Sequence, residues 1–235
     1  MNGLYVAAAG AASQLRELET ATTNLANSST PGFRRFLDVM RAVAGNGSPF
    51  QYATIEKASL DMAQGPIRST DNPLDVAIAG PAFITVTTPQ GPAYTRNGEM
   101  QVAADGTLMT AGQPVSGIGG GPLRLPPGPV AIATDGSISA GGIPVGRIAL
   151  ADPTGVPMES IGGSLYRPAS GATLNAITGS TSQLHQGSIE GSTGSDVSQM
   201  VALMNVNRSY EAAMHSVQSI DQNEDRAIQA FTLQG

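Results

Sequence analysis

The sequence predicts an α+β fold, with N- and C-terminal helices paired as a coiled-coil-like helical domain and a mostly antiparallel β middle domain. Three observations lead there. Glycine and proline, 29 and 16 of 235 residues, are absent from residues 11–30 and 196–234 and crowd the stretch between. Apolar residues at both ends recur in steps of three and four, the seam of a coiled coil. Residues 102–115 (VAADGTLMTAGQPV) return thirty positions later as 132–145 (IATDGSISAGGIPV), each copy with Asp-Gly between apolar residues, a strong hairpin signal.

The first element runs through residues 1–35. Leu4, Ala8, Ala11, Leu15, Leu18, Thr22 and Leu25 lie on one seam. Pro31 and Gly32 stop the helix. Residues 36–75 read as a linker or extended segment. Residues 76–189 read as a β-rich outer domain, with Asp75–Ala79 and Phe83–Thr87 as strands broken by Gly80-Pro81. Both repeat copies end in Pro-Val (Pro114-Val115, Pro144-Val145), where a new strand can start.

Residues 190–235 return to the helical domain, making it discontinuous in sequence. Here Leu203, Val206, Tyr210, Ala213, Val217, Ile220, Glu224, Ala227 and Phe231 form the seam. At 1.5 Å per residue, 196–230 makes a rod roughly 50 Å long. Ser192 or Ser195 caps its start and Asp196 sits favourably in the first turn. Met200, Met204 and Met214 fall off the seam, which points to a second apolar contact surface.

Composition narrows the function classes. With 40% hydrophobic residues, 4% aromatic and no Trp, the cores must be built from Ala, Val, Ile, Leu and Met. Zero cysteines exclude a disulfide scaffold, a thiolate metal site and a Cys nucleophile. Two lone histidines, His185 and His215, leave little for a zinc site. A net charge of -6 with no basic cluster argues against nucleic acid as a partner. No run of 18 apolar residues offers a membrane-spanning helix, and the apolar opening Leu4–Ala12 lacks the positive region of a secretory signal.

Asp71, Asp75, Asp105 and Asp135 invite a carboxylate-pair reading for glycan cleavage. Turn chemistry explains all four better: Asp105 and Asp135 open hairpin turns, and Asp71-Asn72-Pro73 is a turn. Gly119-Gly120-Gly121 runs into Pro122 rather than a helix, so it is a loop and not a phosphate cradle. No catalytic residue, metal site or cofactor follows from these patterns.

The segment Asn24-Leu25-Ala26-Asn27-Ser28-Ser29-Thr30-Pro31-Gly32-Phe33-Arg34 resembles the flagellar axial proteins, the rod and hook family of the bacterial flagellum. That family carries Asn-Leu-Ala-Asn, two variable residues, Thr, one variable residue, then Gly-Phe and a basic residue. Similarity continues in Thr70–Pro81, Tyr94-Thr95-Arg96-Asn97-Gly98, Gln186–Ser192, Met200-Val201 and Arg208-Ser209-Tyr210-Glu211. Thr193-Gly194 and Ser198-Gln199 depart from the family pattern. Within the family, Asp71-Asn72-Pro73, the overall length and Gly163-Ser164-Leu165-Tyr166-Arg167 look most like a proximal-rod subunit.

The resemblance implies a structural subunit, not an enzyme, that leaves through the flagellar type III export apparatus without a cleavable signal. It implies helical polymerisation with copies of itself and other rod subunits into the torque-transmitting shaft that crosses the periplasm. In that picture Leu4, Leu15, Leu18 and Leu25 pack against Leu203, Val206, Tyr210, Val217 and Ile220. The segment from Asn24 through Asn27, Thr30 and Gly32 to Phe33 makes an inter-subunit or loop contact. The alternatives are another axial subunit of the family, in the distal rod or hook, or a glycan-cleaving or ligand-binding β domain on a helical stalk.

Overall fold

The computed structural model of the chain describes residues 2–44, 51–177 and 182–232. Helix α1 spans Asn2–Ala26 and is followed by strands β1 (Phe36–Ala44), β2 (Gln51–Leu60), β3 (Ile67–Ser69), β4 (Val76–Ala79), β5 (Phe83–Thr88) and β6 (Gly91–Thr95). Next come β7 (Met100–Val102), β8 (Leu108–Thr110), β9 (Gln113–Pro114), β10 (Val130–Ile132), β11 (Ser137–Ala140) and β12 (Ile143–Arg147). The strands end with β13 (Leu150–Ala151), β14 (Met158–Gly162), β15 (Leu165–Pro168), β16 (Gln183–Gln186) and β17 (Ser188–Glu190), before helix α2 (Asp196–Thr232). The protein is therefore α+β, with one helix at each end of the chain and a β middle. Every strand pairing of described register is antiparallel.

The chain divides into two compact units whose limits differ from those read in the sequence. One comprises Met1–Ala26, Phe36–Ser59 and Asp196–Gly235; the other comprises Asn27–Arg35 and Leu60–Ser195. In the first, α1 packs against α2 and against β1. Within residues 36–75, read as a linker or extended segment, Phe36–Ala44 and Gln51–Leu60 form the two-stranded sheet of β1 and β2. Their runs FLDVMRAVA and QYATIEKASL are rich in β-branched and apolar residues, which suits a pleated surface better than a free linker. Thr20 Oγ1 donates to Asp38 Oδ1 at 2.9 Å, tying helix to ribbon.

The second unit is built around a five-stranded sheet in the order β13-β5-β6-β15-β14. Side chains alternate across a strand, so this sheet separates two cores. Ile84, Val86 and Ala93 face the larger one, which is closed by residues such as Ile78, Leu108, Ile138 and Leu184 and contains no aromatic ring among its buried members. Phe83, Tyr94 and Tyr166 face the smaller one with Ala151 and Met158. The aromatic-poor composition is thus confined to the larger core.

The internal repeat is a structural repeat. The three-stranded sheets β7-β8-β9 and β10-β11-β12 carry the two copies. In each, the turn aspartate accepts from the backbone and hydroxyl two residues on: Asp105 from Thr107 at 3.0 and 2.8 Å, Asp135 from Ser137 at 3.0 and 2.9 Å. Gly106 and Gly136 carbonyls then accept from Leu125 and Ile148. Pro114 and Pro144 are the second residues of the edge strands β9 and β12, so each strand starts one residue ahead of its Pro-Val pair, and on an edge a missing N–H costs no ladder bond.

Candidate functional site

In the helical unit the contacts follow from where each seam residue falls on its helix. On α1, Ala11 is buried and Leu18 and Leu25 are half-buried, whereas Ala8, Leu15 and Thr22 are exposed, Leu15 to 42%. The covered face of α1 runs instead through Ala11, Gln14, Leu18, Ala21 and Asn24. A straight helix turns every 3.6 residues, so a strict 3.5-residue seam drifts out of register with one partner. On α2, Val206 is buried and Leu203, Tyr210, Ala213, Val217 and Ile220 are half-buried. Leu4 lies in α1, and Glu224, Ala227 and Phe231 in α2, with side chains outside the described residues. His215 is exposed on α2.

A second stripe on α2 carries Val197, Met200, Val201 and Met204, exposed to 73%, 54%, 47% and 50%. Spacings of three, four and seven put all four on one helical face. Four large apolar side chains on this face of α2 are thus exposed.

Asn24 closes α1 by acting as a strand partner. Its Nδ2 donates to the Phe36 carbonyl at 2.9 Å, and its Oδ1 accepts from the Phe36 N–H at 2.7 Å. The side chain is 5% exposed, so both groups are satisfied internally.

Residues 27–34 belong to the β unit and turn inward. Thr30 N–H donates to the Asn27 carbonyl at 3.1 Å, its hydroxyl to Asn27 Oδ1 at 3.4 Å, and Phe33 N–H to the Thr30 carbonyl at 3.2 Å. Gly32 then adopts φ +68°, and a Cβ there would stand 2.2 Å from both the Arg96 carbonyl carbon and the Asn97 nitrogen. Phe33 is 1% exposed. Gly32 and Phe33 are internal: the Gly32 N–H donates to the Glu190 carbonyl at 2.9 Å and the Thr193 N–H to the Phe33 carbonyl at 3.1 Å. Residues 27–35 and 190–195 lie in the same compact unit as the β strands from Leu60 on.

The side chain after Phe33 enters a buried ion triad. Glu190 Oε1 accepts from Arg34 Nη2 at 2.9 Å and from the Gly65 N–H at 2.8 Å, and Oε2 accepts from Arg96 Nη1 at 2.9 Å. All three side chains are at most 2% exposed. Arg34 Nη1 donates to the Ala63 carbonyl, and Arg96 donates to those of Ile78 and Gly80. Both guanidiniums lie by the Phe83 ring, at 4.9 Å for Arg96 and 5.9 Å for Arg34, within cation–π range. Tyr166 OH accepts from the Arg34 N–H at 2.6 Å, and its ring meets Phe83 edge-on at 5.8 Å. Burial, with the neighbouring Arg34 charge, lowers the Arg96 pKa to about 10 against the pull of Glu190.

In the sequence these three charges stand in three separate motifs. The available signal was a Glu and two Arg embedded in Gly-rich apolar contexts of a chain only 13% charged. Nothing in the sequence says which of them meet.

The arrangement offers structure rather than chemistry. Both oxygens of Glu190 are occupied. Among the described residues no group of His, Cys, Asp and Glu could hold a metal, and no helix is long and apolar enough to cross a membrane. A cavity of about 530 Å³ beside the first repeat, lined by residues including Val102, Asp105, Leu125 and Pro127, presents Asp105, whose carboxyl the Thr107 N–H holds below its ordinary pKa. Asp71 and Asp75 are committed to turn bonds with Ser69 and Asn72.

Three family descriptions match successive parts of the chain: "Flagella basal body rod protein" at residues 4–34, "Flagellar hook protein FlgE/F/G D1 domain" at 77–141, and "Flagellar basal body rod FlgEFG protein C-terminal" at 185–230. The flagellar basal-body rod protein FlgF of Salmonella typhimurium is 34% identical over 251 aligned residues, covering 99% of each chain. The chain belongs to the FlgF family of flagellar basal-body rod proteins. FlgF of Escherichia coli is likewise 34% identical with 99% of each chain covered. FlgG of Buchnera aphidicola subsp. Schizaphis graminum is 29% identical over 93% of this chain and 95% of its own. Family membership makes the chain a structural rod protein and not an enzyme. Each of the three matched segments contributes one member of the triad: the N-terminal match ends at Arg34, the central one contains Arg96, and the C-terminal one contains Glu190.

Proposed function

We propose that this FlgF-family chain is a subunit of the proximal rod, polymerising helically with copies of itself and with other rod subunits into the shaft that carries motor torque across the periplasm. It reaches that place through the flagellar type III export apparatus, without a cleavable signal. Within the subunit the terminal helices pair as a coiled coil, with Leu4, Leu18 and Leu25 toward Leu203, Val206, Tyr210, Val217 and Ile220. Leu15 and the stripe Val197, Met200, Val201 and Met204 are then left for neighbouring subunits.

The observation that supports this reading is that stripe. Its four large apolar side chains are each about half exposed or more, and burying one fully is worth roughly 1.5–3 kcal/mol. A face that does not close on itself repeats as a heterologous contact and generates an open helical assembly. The test replaces the chromosomal copy with Leu18→Asp, Val217→Asp or Met204→Asp and isolates basal bodies. Rods should be missing while the purified variants keep the aromatic circular dichroism of the β unit. Motile cells with intact rods would sink the proposal.

A further inference from the structure

We propose that Glu190 is a folding gate: the β unit stays open until the segment carrying this carboxylate arrives, because Arg34 and Arg96 cannot be buried together without it. This inference concerns the subunit's own folding and does not depend on the assembly reading above.

The argument begins with chain order. Glu190 lies 156 residues beyond Arg34 and 94 beyond Arg96, so both arginines enter the world long before their counter-ion. Among the described residues Glu190 is the one carboxylate hydrogen-bonded to either guanidinium. Its absence would leave Arg34 with the Ala63 carbonyl and Arg96 with two carbonyls, while the Nε of each already lacks a partner. Two desolvated like charges beside one phenyl ring are far more costly than a surface pair, and removing one member of a buried ion network costs more than the network contributes.

The rest of the unit has what rapid closure needs. The pairings β5–β6, β7–β8–β9 and β10–β11–β12 join neighbours in sequence, and local pairings form before long-range ones. The fully buried members of the larger core lie between Val76 and Leu150 apart from Leu184, with Leu165 and Ile177 packed against it from later in the chain. Arg96 directly follows the local hairpin β5–β6 and lies over Phe83 of β5, and the chain before Arg34 packs at Gly32 against the Arg96 backbone, so closing this part of the unit brings the two guanidiniums together. Glu190 also holds the backbone together: its carbonyl takes the Gly32 N–H, its carboxylate takes the Gly65 N–H, and β17 pairs with β3. One residue thus gives the signal that 189 residues have preceded it. A chain delivered from its N-terminus, by a ribosome or through a channel, keeps its β unit unfolded until then.

The test uses the full-length chain and pulse-labelled hydrogen exchange during refolding. In the native sequence, the amides of Thr85 and Val115, which bond to the Ala149 and Leu108 carbonyls, should gain protection in the same phase as those of Gly32 and Gly65, which bond to Glu190. Glu190→Gln keeps the shape and removes the charge; it should lower the folding equilibrium of the β unit by about 100-fold or more. The combined Arg34→Met, Arg96→Met and Glu190→Leu variant should recover to within about tenfold of the native chain. In that variant Thr85 and Val115 should become protected ahead of Gly32. Early protection of Thr85 and Val115 in the native chain overturns the proposal. So does a Glu190→Gln variant that folds almost as well as the native chain, or a combined variant that fails to recover.

Discussion

Replacing Gly32 with alanine separates two costs that the structure places at one position. Gly32 has φ +68°, and its backbone lies against that of Arg96 and Asn97. A left-handed backbone costs a non-glycine residue about 1–2 kcal/mol. The added Cβ would stand 2.2 Å from two backbone atoms and 2.5 Å from the Arg96 carbonyl oxygen. No rotamer relieves a clash with main chain, so overpacking adds roughly 1–3 kcal/mol. The shift that relieves it pulls the Gly32 N–H from the Glu190 carbonyl, now 2.9 Å away, worth another ~1 kcal/mol. The total is about 3–6 kcal/mol, a large part of the 5–15 kcal/mol typical of a domain. Gly112 is the control, because it has φ +72° with nothing within 4 Å of the added Cβ, and Gly112→Ala should cost only about 1–2 kcal/mol. Urea unfolding followed by the circular dichroism of Tyr94 and Tyr166 measures both. With a slope near 2 kcal/mol per molar, Gly32→Ala should lower the midpoint by roughly 1.5–3 M. Equal losses in the two variants would refute the close-approach argument.

Two further outcomes are expected. Asn24→Ala removes both bonds to the Phe36 backbone, so the helical unit should lose about 1–3 kcal/mol; hydrogen exchange at Phe36 no faster than in the native chain would contradict this. Burial pushes the Tyr166 pKa up to about 12, and burial also raises that of Tyr94. An acid whose pKa is raised in the fold contributes stability that is intact below pH 10 and lost as pH rises from there toward 12. Tyrosinate absorbance and aromatic circular dichroism should therefore change together across that window, and ionisation of Tyr166 near pH 10 in a folded chain would rule the account out.

Much of the architecture was legible because it rests on local patterns. The helix of residues 2–26 ends within five residues of Pro31, and α2 starts at Asp196, directly after Ser195. The two Asp-Gly turns form because an aspartate bonds to a hydroxyl residue two positions on, wherever the chain goes next. Residues 36–60 were less legible, since strand pairing depends on a neighbour that sequence spacing does not name. On α1 the seam residues are readable, but Leu15 is exposed while Ala21 and Asn24 are buried, because the partner's position decides which edge of an apolar stripe is covered.

The sequence by itself determined the element types at both ends, the repeated hairpins, the exclusion of cysteine chemistry and, through motif order, the family. Those follow from steric and hydrogen-bonding rules that act within a few residues, or from residues matched one by one. Only the tertiary structure decided that Gly32 and Phe33 are internal, and that Arg34, Arg96 and Glu190 meet. Burial and ion pairing are set by distance in space, and segments 94 and 156 residues apart carry no local mark of their meeting.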